Sequence, residues 1–120
     1  MASAAVTAKH ATVDHRNEVR LTGRLSTYAE ARELPSGDEV VGWRLVIDRP
    51  VGGERAGIDA IDCVAFTARV RRTAVKWQPG EIIEVEGALR RRYWRNGTST
   101  ASRFEVEVSR AARVRAGERR

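Results

Sequence analysis

One short run of the sequence concentrates the side chains that could bind a ligand: Arg90, Arg91, Arg92, Tyr93, Trp94 and Arg95. Guanidinium groups pair with phosphate oxygens, and aromatic rings stack on other flat rings. The run therefore predicts contact with a polyanion that carries stackable groups. The competing interpretation is a solvated basic strand whose aromatic side chains cover one end of a β-barrel.

Alternating side chains on either side of this run predict a β-hairpin that carries it. Residues 83–89 alternate between apolar or glycine positions and other side chains, which is the period of a half-buried strand. Asn96-Gly97 is a favoured pair for a tight turn, and a buried face is predicted to return through Phe104, Val106 and Val108. Alternation also places Arg91 and Tyr93 on the face opposite to Arg90, Arg92 and Trp94.

The composition is that of a soluble domain with an excess of positive charge. The 120 residues are 42% hydrophobic and 32% charged, with a formal net charge of +6, and this length suits a single domain. The excess favours a polyanionic partner, which charge alone leaves open as DNA, RNA or an acidic surface. Nearly all the basic residues are arginine, which suits phosphate contacts but equally follows from a GC-rich genome.

Few residues remain for metal, redox or catalytic chemistry. Cys63 is the single cysteine, so no intrachain disulfide or cysteine-based zinc cluster can form. Its apolar neighbours predict a small buried hydrophobe rather than a reactive thiol. His10 and His15 lie in a polar stretch without other potential ligands, so we expect them to be solvated. We therefore expect no metal, no cofactor and no enzymatic activity.

The remaining sequence predicts three further strands and one helix. Strands are predicted at residues 17–25, 41–48 and 58–66, and Gly23 marks a bend in the first. Residues 67–77 have helical spacing, with Thr67 available as the N-cap. We expect core packing rather than base stacking for Trp43 and Trp77. Aspartate occurs on both faces of the third strand, so which face is buried stays open.

Five strands with one short helix between the third and fourth predict an all-β fold, the five-stranded Greek-key barrel called the OB-fold. The predicted OB-fold domain covers residues 17–114. A flexible arm precedes it at residues 1–16, and a short basic tail follows at residues 115–120.

Four motifs in this order resemble bacterial single-stranded DNA-binding proteins. They are NEVRLTGRL at residue 17, ELPSG followed by the strand of Trp43, CVAF ending at Phe66, and PGEIIEVEGALRRRYW ending at Trp94. The resemblance implies sequence-nonspecific binding of single-stranded DNA in replication, recombination and repair. It also implies a homotetramer associated with the nucleoid. The sequence has no apolar segment of membrane-spanning length and no secretory signal, so we expect a cytoplasmic protein without membrane contact.

The resemblance implies base stacking by Trp94 and Phe66. From the residues themselves, Tyr93 is a further stacking candidate and the hairpin arginines are expected to meet phosphates, with Trp94, Arg90 and Arg92 at the centre of the contact. Three more arginines extend the predicted track: Arg20, Arg24 and Arg44. Many members have tryptophan at two positions that are Val51 and Ala60 here. The affinity for single strands is therefore expected either to be weaker or to be carried more by arginine.

Many members also end in an acidic peptide that recruits partner proteins, whereas this chain ends in Ala-Gly-Glu-Arg-Arg. This difference argues against recruitment through such a peptide. An alternative function is an OB-fold accessory factor that binds RNA or a replication protein complex.

Overall fold

The computed structural model describes residues 13–50 and 57–115. The strands and the helix of the described chain are, in order, β1 (Val19–Leu25), β2 (Glu30–Glu33), β3 (Glu39–Asp48), β4 (Ile58–Ala65), α1 (Ala68–Ala74), β5 (Ile82–Asn96) and β6 (Ser99–Val114). His10, Val51, most of the predicted arm and most of the predicted tail lie outside the described residues. The domain boundaries therefore stay a prediction.

Five of the strands close into a ring, in the order β1, β5, β6, β4 and β3, with β3 pairing back to β1. The ring is uneven, because the β1–β3 and β4–β6 contacts each consist of only two residue pairs. The β4–β6 contact is parallel and the other contacts are antiparallel. This arrangement, with α1 between the third and fourth barrel strands, confirms the predicted all-β OB-fold.

The short strand β2 was not predicted. It lies along the edge of β3, with Glu30 opposite Gly42 and Glu33 opposite Glu39. All four of its side chains are exposed. No strand is predicted here, because a strand without a buried face has no period-two hydrophobic pattern.

The barrel interior is filled by aliphatic side chains and a tryptophan pair. Leu45, Ile83 and Val85 have no exposed surface. The rings of Trp43 and Trp77 meet edge to face, with centroids 5.1 Å apart, which is a favourable geometry for an aromatic pair. The prediction that both tryptophans pack in the core is confirmed.

The buried face of β4, left open by the sequence, is the one that carries Cys63 and Ala65. Both belong to the core cluster, with Ile61 packed against it. Cys63 is 3% exposed, as expected for a small buried hydrophobe. The opposite face carries Asp62 and Val64, which line a cavity outside the core cluster, although Val64 is itself only 4% exposed.

Three local predictions are corrected. The helix is shorter than residues 67–77, and Thr67 occupies its N-cap position without a side-chain hydrogen bond. Gly97-Thr98 forms the hairpin turn, one residue later than predicted, since Asn96 pairs with Ser99. Gly97 has φ +69°, and no non-glycine residue among residues 13–50 and 57–115 has positive φ, so Thr98 does not. This combination is that of a type II′ turn.

The third correction concerns Phe104, which was predicted to be buried and is 56% exposed. Residues 90–96 and 99–105 pair only with each other among the described strands. This outer half of the hairpin projects beyond the barrel, so no core lies opposite Phe104.

A close approach of backbones fixes the base of the hairpin at Gly87. The β5–β6 register shifts between Glu86 and Gly87. A Cβ atom on Gly87 would lie 2.0 Å from the carbonyl oxygen of Glu107, so only glycine fits this bulge without rearrangement.

Candidate nucleic-acid interface

Three cavities that share lining residues with their neighbours lie on the outer face of β3 and β4 and along the hairpin of β5 and β6. The central cavity has a volume of about 500 Å³. The residues around this cavity are Arg32, Leu34, Val40, Val64, Phe66, Arg92, Trp94, Arg103 and Glu105. The structure therefore brings together the predicted residues Trp94, Phe66 and Arg92, although 28 positions separate the first two in sequence.

Two further cavities adjoin the central cavity, one at each end. One, of about 320 Å³, continues past Arg32 and Arg103 to Arg44 and Tyr28. The other, of about 330 Å³, begins at Phe66 and contains Arg90. We call the three adjoining cavities the groove. The strand-2 and strand-3 face of an OB-fold, flanked by its first and last connecting loops, is where many OB-folds bind oligonucleotides.

Alternating ion pairs hold the groove arginines in place. Glu107 Oε1 accepts hydrogen bonds from both Arg90 and Arg92, each at 3.1 Å. Arg92 Nε also donates to Glu105 at 2.7 Å, and Arg103 donates to the other oxygen of Glu105 at 3.3 Å. The three arginines and two glutamates leave one net positive charge. The remaining guanidinium N–H groups can still meet phosphate oxygens.

Arg92 connects the charged and the aromatic parts of the groove. Its guanidinium carbon lies 5.6 Å from the ring centroid of Phe66, within the range of a cation–π contact. The hydrogen bond to Glu105 raises the pKa of Arg92 above its ordinary value. Arg92 therefore stays charged at every physiological pH.

The two aromatic side chains of the central cavity are accessible. Trp94 is 47% exposed near the end of β5. Phe66 is partly buried directly after β4. Both rings line the same cavity.

Asn17 braces the hairpin where the basic run begins. Its side-chain amide donates to the carbonyl oxygen of Leu89 at 2.8 Å and accepts from the Leu89 N–H at 2.9 Å. This pair of bonds fixes the backbone one residue before Arg90.

The other half of the basic run lies on the opposite face of the hairpin, as alternation predicts. The guanidinium of Arg91 lies between two rings, 5.2 Å from the centroid of Tyr93 and 5.1 Å from that of Phe104. It also donates to Ser102 at 3.1 Å. Neither Arg91 nor Tyr93 lines the groove. Arg95 is exposed at the tip of the hairpin, and no cavity of the groove includes it.

The three arginines predicted to extend the track are divided between the groove and the rest of the barrel. Arg44 lines the groove and donates to Asp62 at 3.0 Å. Arg20 pairs with Glu84 at 3.3 Å and Arg24 with Asp48 at 3.2 Å, both outside the groove cavities. The binding role of all three stays a prediction.

Sequence reasoning did not find Arg32, Tyr28, Arg103 and Glu105. Arg32 and Tyr28 belong to the segment between the first two predicted strands, for which the sequence predicts no strand. Arg103 and Glu105 alternate with the apolar residues of β6, which was the available signal, because side chains two apart share a face.

Within residues 13–50 and 57–115, no group of three or more His, Cys, Asp or Glu side chains could hold a metal ion. Across the same part of the chain, no helix has the length and apolar character needed to cross a membrane.

Comparisons with known proteins agree with this geometry. The model of the single-strand binding protein family matches residues 16–115. A single-stranded DNA-binding protein of Halalkalibacterium halodurans is 32% identical over 83 residues, which are 67% of this chain and 49% of that protein. This chain thus spans about half the length of that relative.

The fold has a close match among solved structures. The structure of the Plasmodium falciparum SSB complex with ssDNA superposes with a TM-score of 0.73, covering 87% of this chain and 99% of that one. The two sequences are 19% identical, so this likeness concerns the fold. The family match over nearly the whole described chain carries the assignment: the protein belongs to the single-strand binding protein family.

Proposed function

We propose that this protein binds single-stranded DNA in the groove, without sequence preference and without catalysing a reaction. The observation that carries the proposal is the joining of Trp94, Phe66 and Arg92 around one cavity. A single strand exposes its base faces and phosphates, and every nucleotide has both. Aromatic rings in a positively charged groove recognise these two shared features.

The ion pairs along the hairpin support this proposal. Arg90, Arg92 and Arg103 lie on one side of the groove, held by Glu105 and Glu107. Positioned guanidinium groups lose less conformational entropy when they meet a phosphate. The glutamates also reduce the net charge of the groove. This reduction limits the general electrostatic attraction of any polyanion, including duplex DNA.

A role in DNA replication, recombination and repair follows from this activity and from membership of the family. The relative's name supports single-stranded DNA over the alternative, an OB-fold accessory factor acting on RNA or on a protein complex. Assembly into a homotetramer and a cytoplasmic, nucleoid-associated location belong to the same proposal.

The proposal is tested by titrating the protein with oligo(dT) and following tryptophan fluorescence. Trp43 and Trp77 are 6% and 3% exposed, so quenching by a bound base reports on Trp94. Removal of one stacking ring should cost about 1–3 kcal/mol. Trp94→Ala, measured with a labelled oligonucleotide, should therefore bind about 5 to 150 times more weakly.

Duplex DNA and oligo(U) are the comparison ligands. Strong binding to oligo(dT) and weak binding to duplex DNA would support the proposal. Equal affinity for single strands and duplex, unchanged in Trp94→Ala, would refute base stacking. A clear preference for oligo(U) would instead favour the accessory factor that acts on RNA.

A further inference from the structure

A second basic cavity lies beside α1, outside the groove. Its volume is about 680 Å³, and we call it the α1 cavity. Four cationic side chains line it together with two apolar ones: Arg69, Arg72, Lys76, Arg113, Val75 and Trp77. No acidic residue is part of its lining.

The charge of the α1 cavity is much less neutralised than the charge of the groove. Within the described chain, Arg69, Arg72 and Lys76 have no hydrogen bond or ion pair with a carboxylate. Arg113 alone is paired, to Glu81 at 3.0 Å. Adjacent positive charges without counter-charges create a potential that attracts anions.

Helix stability does not account for the position of Arg69 in this cluster. Arg69 lies in the first turn of α1, which contains no acidic residue. A positive charge near a helix N-terminus interacts unfavourably with the helix dipole. Arg72 lies in the last turn, where a positive charge interacts favourably with the helix dipole, and Lys76 follows the end of the helix.

The lining indicates which part of a nucleic acid would bind there. Trp77 is 3% exposed because its ring packs against Trp43, so it offers no face for stacking. Val75, at 49% exposed, is the accessible apolar side chain of the lining. Such a cavity can attract phosphate groups but cannot stack bases.

The α1 cavity follows the groove along the chain. Phe66 and Thr67 line the end cavity of the groove, and α1 begins at the next residue. Arg69 is two residues beyond Thr67, and Arg72 and Lys76 continue along the helix and its end. Consecutive Cα atoms are about 3.8 Å apart, so the Cα atoms of Thr67 and Arg69 lie within about 8 Å of each other. The end cavity of the groove is therefore close to the Arg69 side of the α1 cavity.

We propose that the α1 cavity is a second contact site for single-stranded DNA, which holds only the phosphate backbone of a strand longer than the groove. This inference rests on the proposed function of the groove. Its consequence is a binding footprint that extends from the hairpin over α1, and an affinity that depends on the length of the strand.

The test compares short and long oligo(dT) on wild type and on the double variant Arg69→Ala, Arg72→Ala. OB-folds cover about 4–16 nucleotides each. Oligonucleotides from the lower end of this range to lengths above it therefore include strands that fill only the groove and strands that also reach the α1 cavity. The variant should bind the short strand like wild type and the long strand several-fold more weakly. For the long strand, the slope of log affinity against log salt should decrease by about 1.4, since each single-strand phosphate contact contributes about 0.7.

Two further variants separate a local contact from net charge and folding. Arg16→Ala, Arg49→Ala removes the same charge from exposed positions outside both cavities and should leave the length dependence unchanged. Arg69→Lys, Arg72→Lys keeps the charge and should retain most of the affinity for long strands.

The outcomes distinguish this inference from the proposed function. If wild type does not bind the short strand, the groove proposal fails. If wild type binds it but the double alanine variant matches wild type on long strands, only the α1 inference is refuted. An equal loss on short and long strands would also refute it.

Discussion

Arg92 Nε lies 2.7 Å from Oε2 of Glu105, whose side chain is only 6% exposed. The same carboxylate accepts from Arg103 through its other oxygen. A nearly buried acid therefore orients two arginines that face the groove. As a negative charge, Glu105 should weaken the binding of a polyanion. As the group that orients Arg92 and Arg103, it should strengthen that binding.

We expect Glu105→Gln to weaken binding to oligo(dT), although it makes the protein more positive. The amide has the same shape but cannot accept two charge-assisted hydrogen bonds from arginine. A loss of about 1 kcal/mol, or about fivefold in Kd, is expected from the weaker bonds. Glu18→Gln makes the same charge change at an exposed position. If both variants bind more tightly than wild type, Glu105 only neutralises charge.

Neighbouring arginines on opposite faces of the hairpin provide a matched comparison. Arg92→Ala should weaken oligo(dT) binding by about tenfold, about 1.4 kcal/mol, because it removes a guanidinium from the central cavity. Arg91→Ala should have a clearly smaller effect, since that side chain lies between Tyr93 and Phe104. Anisotropy of a labelled oligonucleotide gives both values, and thermal unfolding controls for folding. Equal losses would contradict the assignment of one binding face.

The bulge at Gly87 predicts a stability difference between two glycines. Gly87→Ala should reduce the free energy of unfolding by about 1–3 kcal/mol, because its Cβ would overlap the carbonyl of Glu107. Gly42→Ala is the control, since its Cβ would be 3.6 Å from the nearest atom, an ordinary contact. Urea unfolding measures both. Similar stabilities would show that the bulge rearranges without cost.

The barrel could be predicted from the sequence because most of its strands bury one face. Residues 83–89 and the strand of Trp43 alternate with a period of two, and the helical spacing after Phe66 marks the single helix. Prediction failed where the alternating pattern and the burial of side chains do not correspond. Strand β2 buries no side chain, and Phe104 follows the apolar pattern of β6 beyond the point where the core ends.

The site was predictable only in part. A run of arginines beside Trp94 shows which side chains are available, and alternation assigns their faces. The contact of Arg92 with Glu105 depends on the β5–β6 register, which the turn at Gly97-Thr98 sets. Arg32 enters the groove only because β2 pairs with β3. Such contacts between residues distant in sequence arise when the barrel closes, and local sequence patterns do not predict them.

Burial of Cys63 leads to a prediction about reactivity and pH. Burial, assisted by the nearby charges of Asp62 and Glu105, raises the pKa of this thiol to about 12. The thiolate is the reactive form, so the folded protein should resist iodoacetamide at pH 8.5 while the urea-unfolded chain is alkylated. Mass spectrometry measures the extent of modification, and rapid labelling of the folded protein would contradict the burial.

The raised pKa of Cys63 also makes the free energy of unfolding depend on pH in a defined direction. The unfolded thiol ionises near its ordinary pKa of about 8.5, whereas the folded one stays neutral up to about pH 12. Stability from this group is therefore fully present below about pH 8.5 and decreases as the pH rises towards 12. Cys63→Ala removes the thiol, so between pH 8 and about pH 10 its free energy of unfolding should fall less steeply than that of wild type. Parallel curves for the two proteins would show that the thiol ionises equally in the folded and unfolded states.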